Sequence, residues 1–99
     1  MTDITDNVQV TDNPGASRFE LHVAGQLAGH AEYHLRPGRM LLTHTEVDPA
    51  LQGRGLAGTL ARQALDSARD SGRQVAPLCS YIADYIDKHP EYADLVERP

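Results

Sequence analysis

Three glycines within one short segment, Pro49-Ala50-Leu51-Gln52-Gly53-Arg54-Gly55-Leu56-Ala57-Gly58, constrain this chain more than any other feature. The segment joins a run that reads as a strand, ending in Thr45-Glu46-Val47, to one that reads as a helix from about Gly53 to Ser71. Glycines at a strand-to-helix turn let the backbone come close to another group. The unpaired N–H groups and dipole of a helix's first turn favour an anion at that place. Gly53, Arg54, Gly55, Leu56 and Ala57 are therefore expected to aim their amides at a phosphate. The plainer alternative is a helix start merely softened by glycine, and a second cluster, Pro77-Leu78-Cys79-Ser80-Tyr81, weighs against it.

A chain of 99 residues is expected to form one domain, residues 1–99, with a single modest core. Its net charge of −5 argues against a general nucleic-acid binder, which needs basic phosphate contacts. The lone cysteine, Cys79, excludes an internal disulfide. No charged leader followed by an apolar run opens the chain, and no apolar stretch nears the ~20 residues that span a bilayer. A soluble cytoplasmic protein without a membrane partner is the expectation.

Residues 1–7 are polar and read as a frayed end. Val8 and Val10 alternate with Gln9 and Thr11 as a short edge strand, and Asn13-Pro14-Gly15 supplies a turn. From Arg18 to Ala24 the alternation puts Phe19, Leu21 and Val23 on one face and Arg18, Glu20 and His22 on the other. Gly25-Gln26 reads as a hairpin turn. Leu27 to Leu35 sets Ala31, Tyr33 and Leu35 against His30, Glu32 and His34, and Pro37-Gly38 fits a type II turn. Arg39 to Val47 alternates less strictly, which predicts a central strand covered on both faces near its start.

Leu56, Ala57, Leu60, Ala61, Ala64 and Ala68 recur at helical spacing, and Ser71-Gly72 offers a left-handed cap. Arg73 to Leu78 reads as a short buried strand completing a crossover beside the fourth. Ser80 to Lys88 reads as a helix, and Pro90 to Val96 as a last short one anchored by Tyr92 and Leu95. The fold class expected is α/β: a mixed sheet of about five strands, an antiparallel meander plus one parallel crossover, with a main helix and a helical tail. Ligands of such sheets settle beyond the strand C-termini. Glu46-Val47, the glycine turn and Cys79 should therefore surround one mouth.

Gln52-x-x-Gly55-x-Ala57 matches the Q/R-x-x-G-x-G/A signature of the GNAT acetyltransferase superfamily, preceded by Val47-Asp48-Pro49. His44-Thr45-Glu46-Val47, Gly53-Arg54-Gly55-Leu56-Ala57, Pro77-Leu78-Cys79-Ser80-Tyr81 and His89-Pro90-Glu91-Tyr92 together resemble its short single-domain members, over roughly residues 17 to 97. The resemblance implies acetyl-CoA or CoA as cofactor, with its pyrophosphate on the amides of Gly53, Arg54, Gly55, Leu56 and Ala57. Gln52 would shape the loop, and the backbone around Glu46 and Val47 would pair with the pantetheine arm like an added strand. The chain departs from larger relatives in lacking two helices between the first two strands. Those helices shape the acceptor pocket, so the amine acceptor, a small molecule or a protein lysine, stays open.

Acyl transfer to an amine needs a proton acceptor, a polarised carbonyl and a proton for the departing thiolate. His44, on the strand leading into the site, is the candidate base or relay, since histidine titrates near ~6.5; a hydrogen-bonded structural histidine is the alternative. Glu46 is a second candidate base. Cys79 precedes a helix whose dipole would favour a thiolate, so it is a candidate acyl acceptor or proton donor, against the alternative of a packing residue. Tyr81 and Tyr85 share a helix face and either line the cofactor channel or belong to the core.

No metal site is expected: His30 and His34 stand ~13 Å apart along their strand, too far to share one ion. Their face reads as solvated or as a partner surface. An acetyl-CoA-dependent N-acetyltransferase is the function expected. A non-catalytic acyl-CoA-binding module and a protein-interaction module remain as alternatives, and the oligomeric state is open.

Overall fold

The period-two segments build a single sheet. β1 (Val8–Asn13), β2 (Arg18–Val23), β3 (Gln26–Arg36) and β4 (Arg39–Val47) pair antiparallel in chain order, and β5 (Gln74–Pro77) joins β4 in parallel. A computed structural model describes residues 7–96, so the frayed end expected over 1–7 lies, apart from Asn7, outside the described residues. The architecture is the mixed α/β sheet anticipated, with one correction. β3, not β4, is the middle strand, because β1 pairs along its whole length and adds a full strand at the far edge.

α1 (Leu56–Asp70) and α2 (Ser80–Lys88) cover one face of this sheet. Leu60, Ala61, Ala64 and Leu65 of α1, with Ile82 and Ile86 of α2, meet Phe19, Leu21, Ala31, Tyr33, Met40 and Leu42 in one continuous core. Burying a leucine-sized side chain there contributes about 1.5–3 kcal/mol. The residues alternating with the inward set, among them His22, His30, Glu32, His34, His44 and Glu46, are half-buried or exposed. Leu35 points toward the helical side yet stays 42% exposed, because β2 pairs with β3 only as far as Glu32 and leaves it without a neighbour on that side.

Two register shifts decide which side chains face in. β3 carries an extra residue opposite Leu21 and His22, and β4 carries one, Thr43, opposite Glu32 and Tyr33. A bulge adds a residue on one strand and reverses the facing of everything beyond it. In β4 the inward set therefore changes from Met40 and Leu42 to Thr45 and Val47. The imperfect alternation of this strand reflects that bulge rather than burial on both faces. His44 and Glu46 are turned outward by it, and both are exposed.

Turn chemistry accounts for the remaining boundaries. The β2–β3 hairpin turns on Ala24-Gly25 rather than Gly25-Gln26, with φ of 52° and 82° at its two central residues. Positive φ at both central residues marks the type I′ two-residue hairpin, and the flanking pair Val23 and Gln26 is still in register. α1 begins at Leu56, later than the glycine run implied, because Gly53 (φ 87°) and Gly55 (φ 74°) are left-handed and cannot continue a right-handed helix. Its end is as expected, with Gly72 at φ 72°. The last segment is a 3-10 turn, Pro90–Leu95, whose Tyr92 and Leu95 are buried, and Val96 forms a parallel bridge with Val75 of β5.

Two tyrosine hydroxyls tie elements together within each layer: Tyr33 of β3 donates to Asp12 of β1 at 2.5 Å, and Tyr92 of the last 3-10 turn to Asp66 of α1 at 2.7 Å. Burial, then the hydrogen bond to a carboxylate, pushes each phenol up to about 12. Among the described residues no helix is long and apolar enough to cross a membrane.

Two outcomes follow for stability. A folded-state phenol raised above its unfolded value of ~10 contributes stability that is complete below that pH and is lost as pH rises through about 12. Urea midpoints should therefore fall across that window, and Tyr33→Phe should make the fall shallower. Ala24→Gly should stabilise by about 0.5–1 kcal/mol, since relief of left-handed strain exceeds the entropy glycine adds to the unfolded chain; equilibrium urea unfolding measures it.

Candidate functional site

The parallel ladder stops where β5 runs out of donors. Pro77 has no N–H, and the next two amides, Leu78 and Cys79, both donate to the single carbonyl of Leu42 at 3.0 Å. β4 continues from there to Val47 with β3 as its one partner. Asp48 N–H bonds Ala28 C=O across β3 at 2.7 Å. Counting back by twos, Glu46 and His44 turn their backbone groups to β3, as antiparallel alternation requires. Thr45 and Val47 consequently offer N–H and C=O to the side where β5 has ended. This open edge is one residue out of phase with Glu46 itself.

A cleft of about 390 Å³ occupies that gap. Thr45 and Val47 form its floor, Gln52, Gly53, Gly55, Leu56 and Ala57 one wall, and Tyr81 of α2 the other. The turn is set by Asp48, whose carboxylate accepts from Ala50 N–H at 3.0 Å and starts the 3-10 turn Pro49–Leu51. α1 has no side-chain cap at Gly55. Among the described residues nothing accepts from the N–H groups of residues 53–58. A Cβ at Gly53 or Gly55 would meet nothing within 4 Å, so these glycines serve the left-handed backbone and open space lies beyond them.

The cleft continues over α1. A second hollow of about 490 Å³ shares Gly55, Gly58 and Tyr81 with the first and reaches Arg62, Lys88 and His89. A methyl at Gly58 would sit 3.6 Å from the Tyr85 ring and 3.7 Å from the Tyr81 hydroxyl, narrowing the groove. Tyr85 is stacked on His89, centroids 3.9 Å apart, and the imidazole Nδ1 lies 2.8 Å from the Tyr85 carbonyl. Burial raises the phenols of both Tyr81 and Tyr85, so these walls stay neutral, while Arg62 and Lys88 bring positive charge and Asp84 negative charge to the same hollow.

Cys79 stands at the N-terminus of α2, half-buried, and its thiol reaches the Thr45 hydroxyl at 3.7 Å. It is thus adjacent to the open edge on the helical side. His44 and Glu46 lie on the opposite sheet face, His44 Nε2 3.5 Å from Glu46 Oε1. A third hollow of about 570 Å³ there is lined by Gly29, His30, Glu46, Val47, Asp48 and Gln52. Val47 and Gln52 border both the first and third hollows. Most sequence-predicted residues therefore converge from two sides on one edge, while Arg54 is exposed and lines none of these hollows. Thr45, Arg62 and Lys88 were not singled out as site residues by the sequence, and Gly58 only as the last glycine of the segment that opens α1.

Comparison with known proteins bears on the fold and the family. The family described as GCN5-related N-acetyl-transferase matches residues 18–95. Protein NATD1 of Gallus gallus is 41% identical over 49 residues, 50% of this chain and 44% of that protein, and Protein NATD1 of Homo sapiens is 41% identical over the same length, 43% of its own. The aligned region spans less than half the length of these relatives. The solution structure of a GCN5-like protein from Staphylococcus aureus superimposes with a TM-score of 0.72 at 18% identity, covering 94% of this chain and 91% of that one. The crystal structure of the ribosomal-protein-S18-alanine N-acetyltransferase from Escherichia coli does so at 0.61 and 22% identity, covering 86% and 65%. At such identities the likeness speaks for the fold, and the family match speaks for descent: the chain belongs to the GCN5-related N-acetyltransferases.

Proposed function

We propose that this chain binds acetyl-CoA in the groove between the glycine turn and α2 and transfers the acetyl group to a primary amine. One observation carries the reading: the acceptorless amides of residues 53–58 lead directly to the unpaired edge of β4 at Thr45 and Val47. An anion on the first and an extended amide-bearing arm along the second fit these two features. Arg62 and Lys88 add two cationic side chains farther along the groove, with Asp84 in the same lining. Acetyl-CoA, when bound, supplies an acetyl group activated as a thioester.

The residues then divide the work by sheet face. Thr45 and Val47 hold the arm by backbone hydrogen bonds and fix how far it reaches. Cys79, on the helical side, holds a thiol proton 3.7 Å from Thr45 Oγ1, where it can be given to a departing thiolate. His44 or Glu46, on the open side, receives the proton that the attacking amine sheds, within or across the hollow that Glu46 lines. The acceptor accordingly approaches from the face opposite the helices, as a small molecule or a protein lysine.

Calorimetric titration with CoA and acetyl-CoA tests the binding half. Asparagine and aspartate both tolerate a left-handed N-cap, so Gly55→Asn and Gly55→Asp should fold alike and differ only in charge. Gly55→Asp should bind CoA ~10-fold or more weakly than Gly55→Asn, because a carboxylate then faces the phosphates. Equal affinity in the two variants removes the proposal. For the transfer half, His44→Ala should lower kcat by ~10²–10⁴ while CoA affinity stays unchanged. Intact mass after incubation with acetyl-CoA distinguishes routes: an added acetyl group absent in Cys79→Ala would make the thiol a covalent acceptor, and no added mass supports direct transfer.

A further inference from the structure

The antiparallel register places four titratable side chains in a square on the open face of the sheet. His30 of β3 stands directly across from Glu46 of β4, and Glu32 of β3 directly across from His44. Along each strand the partners are two residues apart, so all four project to the same side. The His30 and His44 rings lie 5.9 Å apart, His30 Nε2 is 3.1 Å from Glu32 Oε2, and His44 Nε2 is 3.5 Å from Glu46 Oε1. One donor atom from each of His30, His44 and Glu46 lies within 4.8 Å of the other two.

We propose that His30, His44 and Glu46 form a surface site for a divalent first-row transition-metal ion of the zinc type. Two imidazoles and one carboxylate are the donor set of three-ligand zinc sites that leave a fourth position to water. Tetrahedral bonds of about 2.0–2.1 Å put ligand atoms roughly 3.4 Å apart. The His44–Glu46 pair is already at 3.5 Å, and the rest close by rotation of exposed His44 and Glu46 side chains. Glu32 on one nitrogen of His30 fixes that ring's tautomer and orientation, the usual office of a carboxylate behind a ligating histidine.

Charge favours the same occupant. Among the described residues neither Glu32 nor Glu46 has an arginine or lysine within ion-pair distance, and the nearest guanidinium along the register, Arg18, is held by Glu20 at 2.8 Å. With neutral imidazoles the square carries two negative charges that a dication offsets. The adjoining hollow of about 570 Å³, lined by His30 and Glu46, gives an ion open access from solvent.

Isothermal titration of the full chain with zinc chloride in a non-coordinating buffer should give one ion per chain. His30→Gln and His44→Gln should each weaken it by more than ~100-fold, beyond what loss of an outer-shell partner costs, and Glu32→Gln by ~10–100-fold. His34→Gln, which removes a histidine from the same face outside the square, should leave affinity unchanged, and circular dichroism checks that each variant is folded. Zinc should shift the imidazole carbon-bound proton resonances of His30 and His44 and not those of His22 or His34. Absence of saturable binding to the native chain, or equal binding by a folded His30→Gln/His44→Gln variant, overturns the proposal. So does loss of binding in Cys79→Ser with retention in His30→Gln, which would assign the ion to the thiol. The site also ties up His44, so zinc is expected to inhibit acetyl transfer; that consequence rests on the function proposed above, whereas the calorimetric result does not.

Discussion

A single carbonyl accepts two amides, and the rest of the site follows from it. Leu42 C=O takes the N–H groups of both Leu78 and Cys79 at 3.0 Å, one residue after Pro77 has broken the series of donors from β5. The bifurcated bond turns the chain away from the sheet and delivers it into α2. Beyond that point β4 has a partner on only one side. An unpaired strand edge is a liability that folded proteins normally cover, and here it lies at the bottom of a cleft walled by α1 and α2. The edge is protected from another sheet while still open to a narrow extended ligand.

The bulge at Thr43 supplies the second requirement. Had β4 kept the phase of Met40 and Leu42, His44 would point into the helical core and Thr45 out to solvent. One extra residue exchanges them, placing a hydroxyl beside Cys79 and an imidazole beside His30. The two sheet faces thereby acquire different chemistry at the same strand: donors, glycine backbone and a thiol on the helical side, histidines and carboxylates on the other. A transfer reaction that must admit two substrates without letting them compete for one pocket is served by such a division.

The strands and the main helix were legible because their hydrophobic periods are strong, and the glycine turn because three close glycines rarely lack a backbone reason. What escaped was everything that depends on register. The bulge at Thr43 carries no composition signal, since Thr43 is an ordinary strand residue, whereas the one in β3 adjoins Gly29, a glycine inside a strand. At the β2–β3 hairpin the left-handed Ala24 lacks the glycine or asparagine that marks such a position. Thr45 enters the site through its backbone and a hydroxyl, neither of which stands out from the sequence. His30 was weighed against His34 on its own strand, whereas its neighbour in space is His44, fourteen positions away and brought opposite only by pairing. Distances along a strand are readable from sequence; distances across one need the register.

The contrast between the two faces also bears on how so short a chain keeps a defined site. The helical face is anchored at several independent points: the Leu60 and Leu65 stripe, Ile82 and Ile86, the Tyr92–Asp66 hydrogen bond and the Arg69–Asp94 pair at 2.9 Å. The open face has no helix among the described residues to hold its side chains, and its order rests on cross-strand pairs alone. Packing from a second layer is therefore concentrated on the face that carries the glycine turn and the unpaired edge of β4, and is missing from the face that carries the histidines. Because β4 is common to both, Glu46 on one side and Thr45 and Val47 on the other share one stretch of backbone.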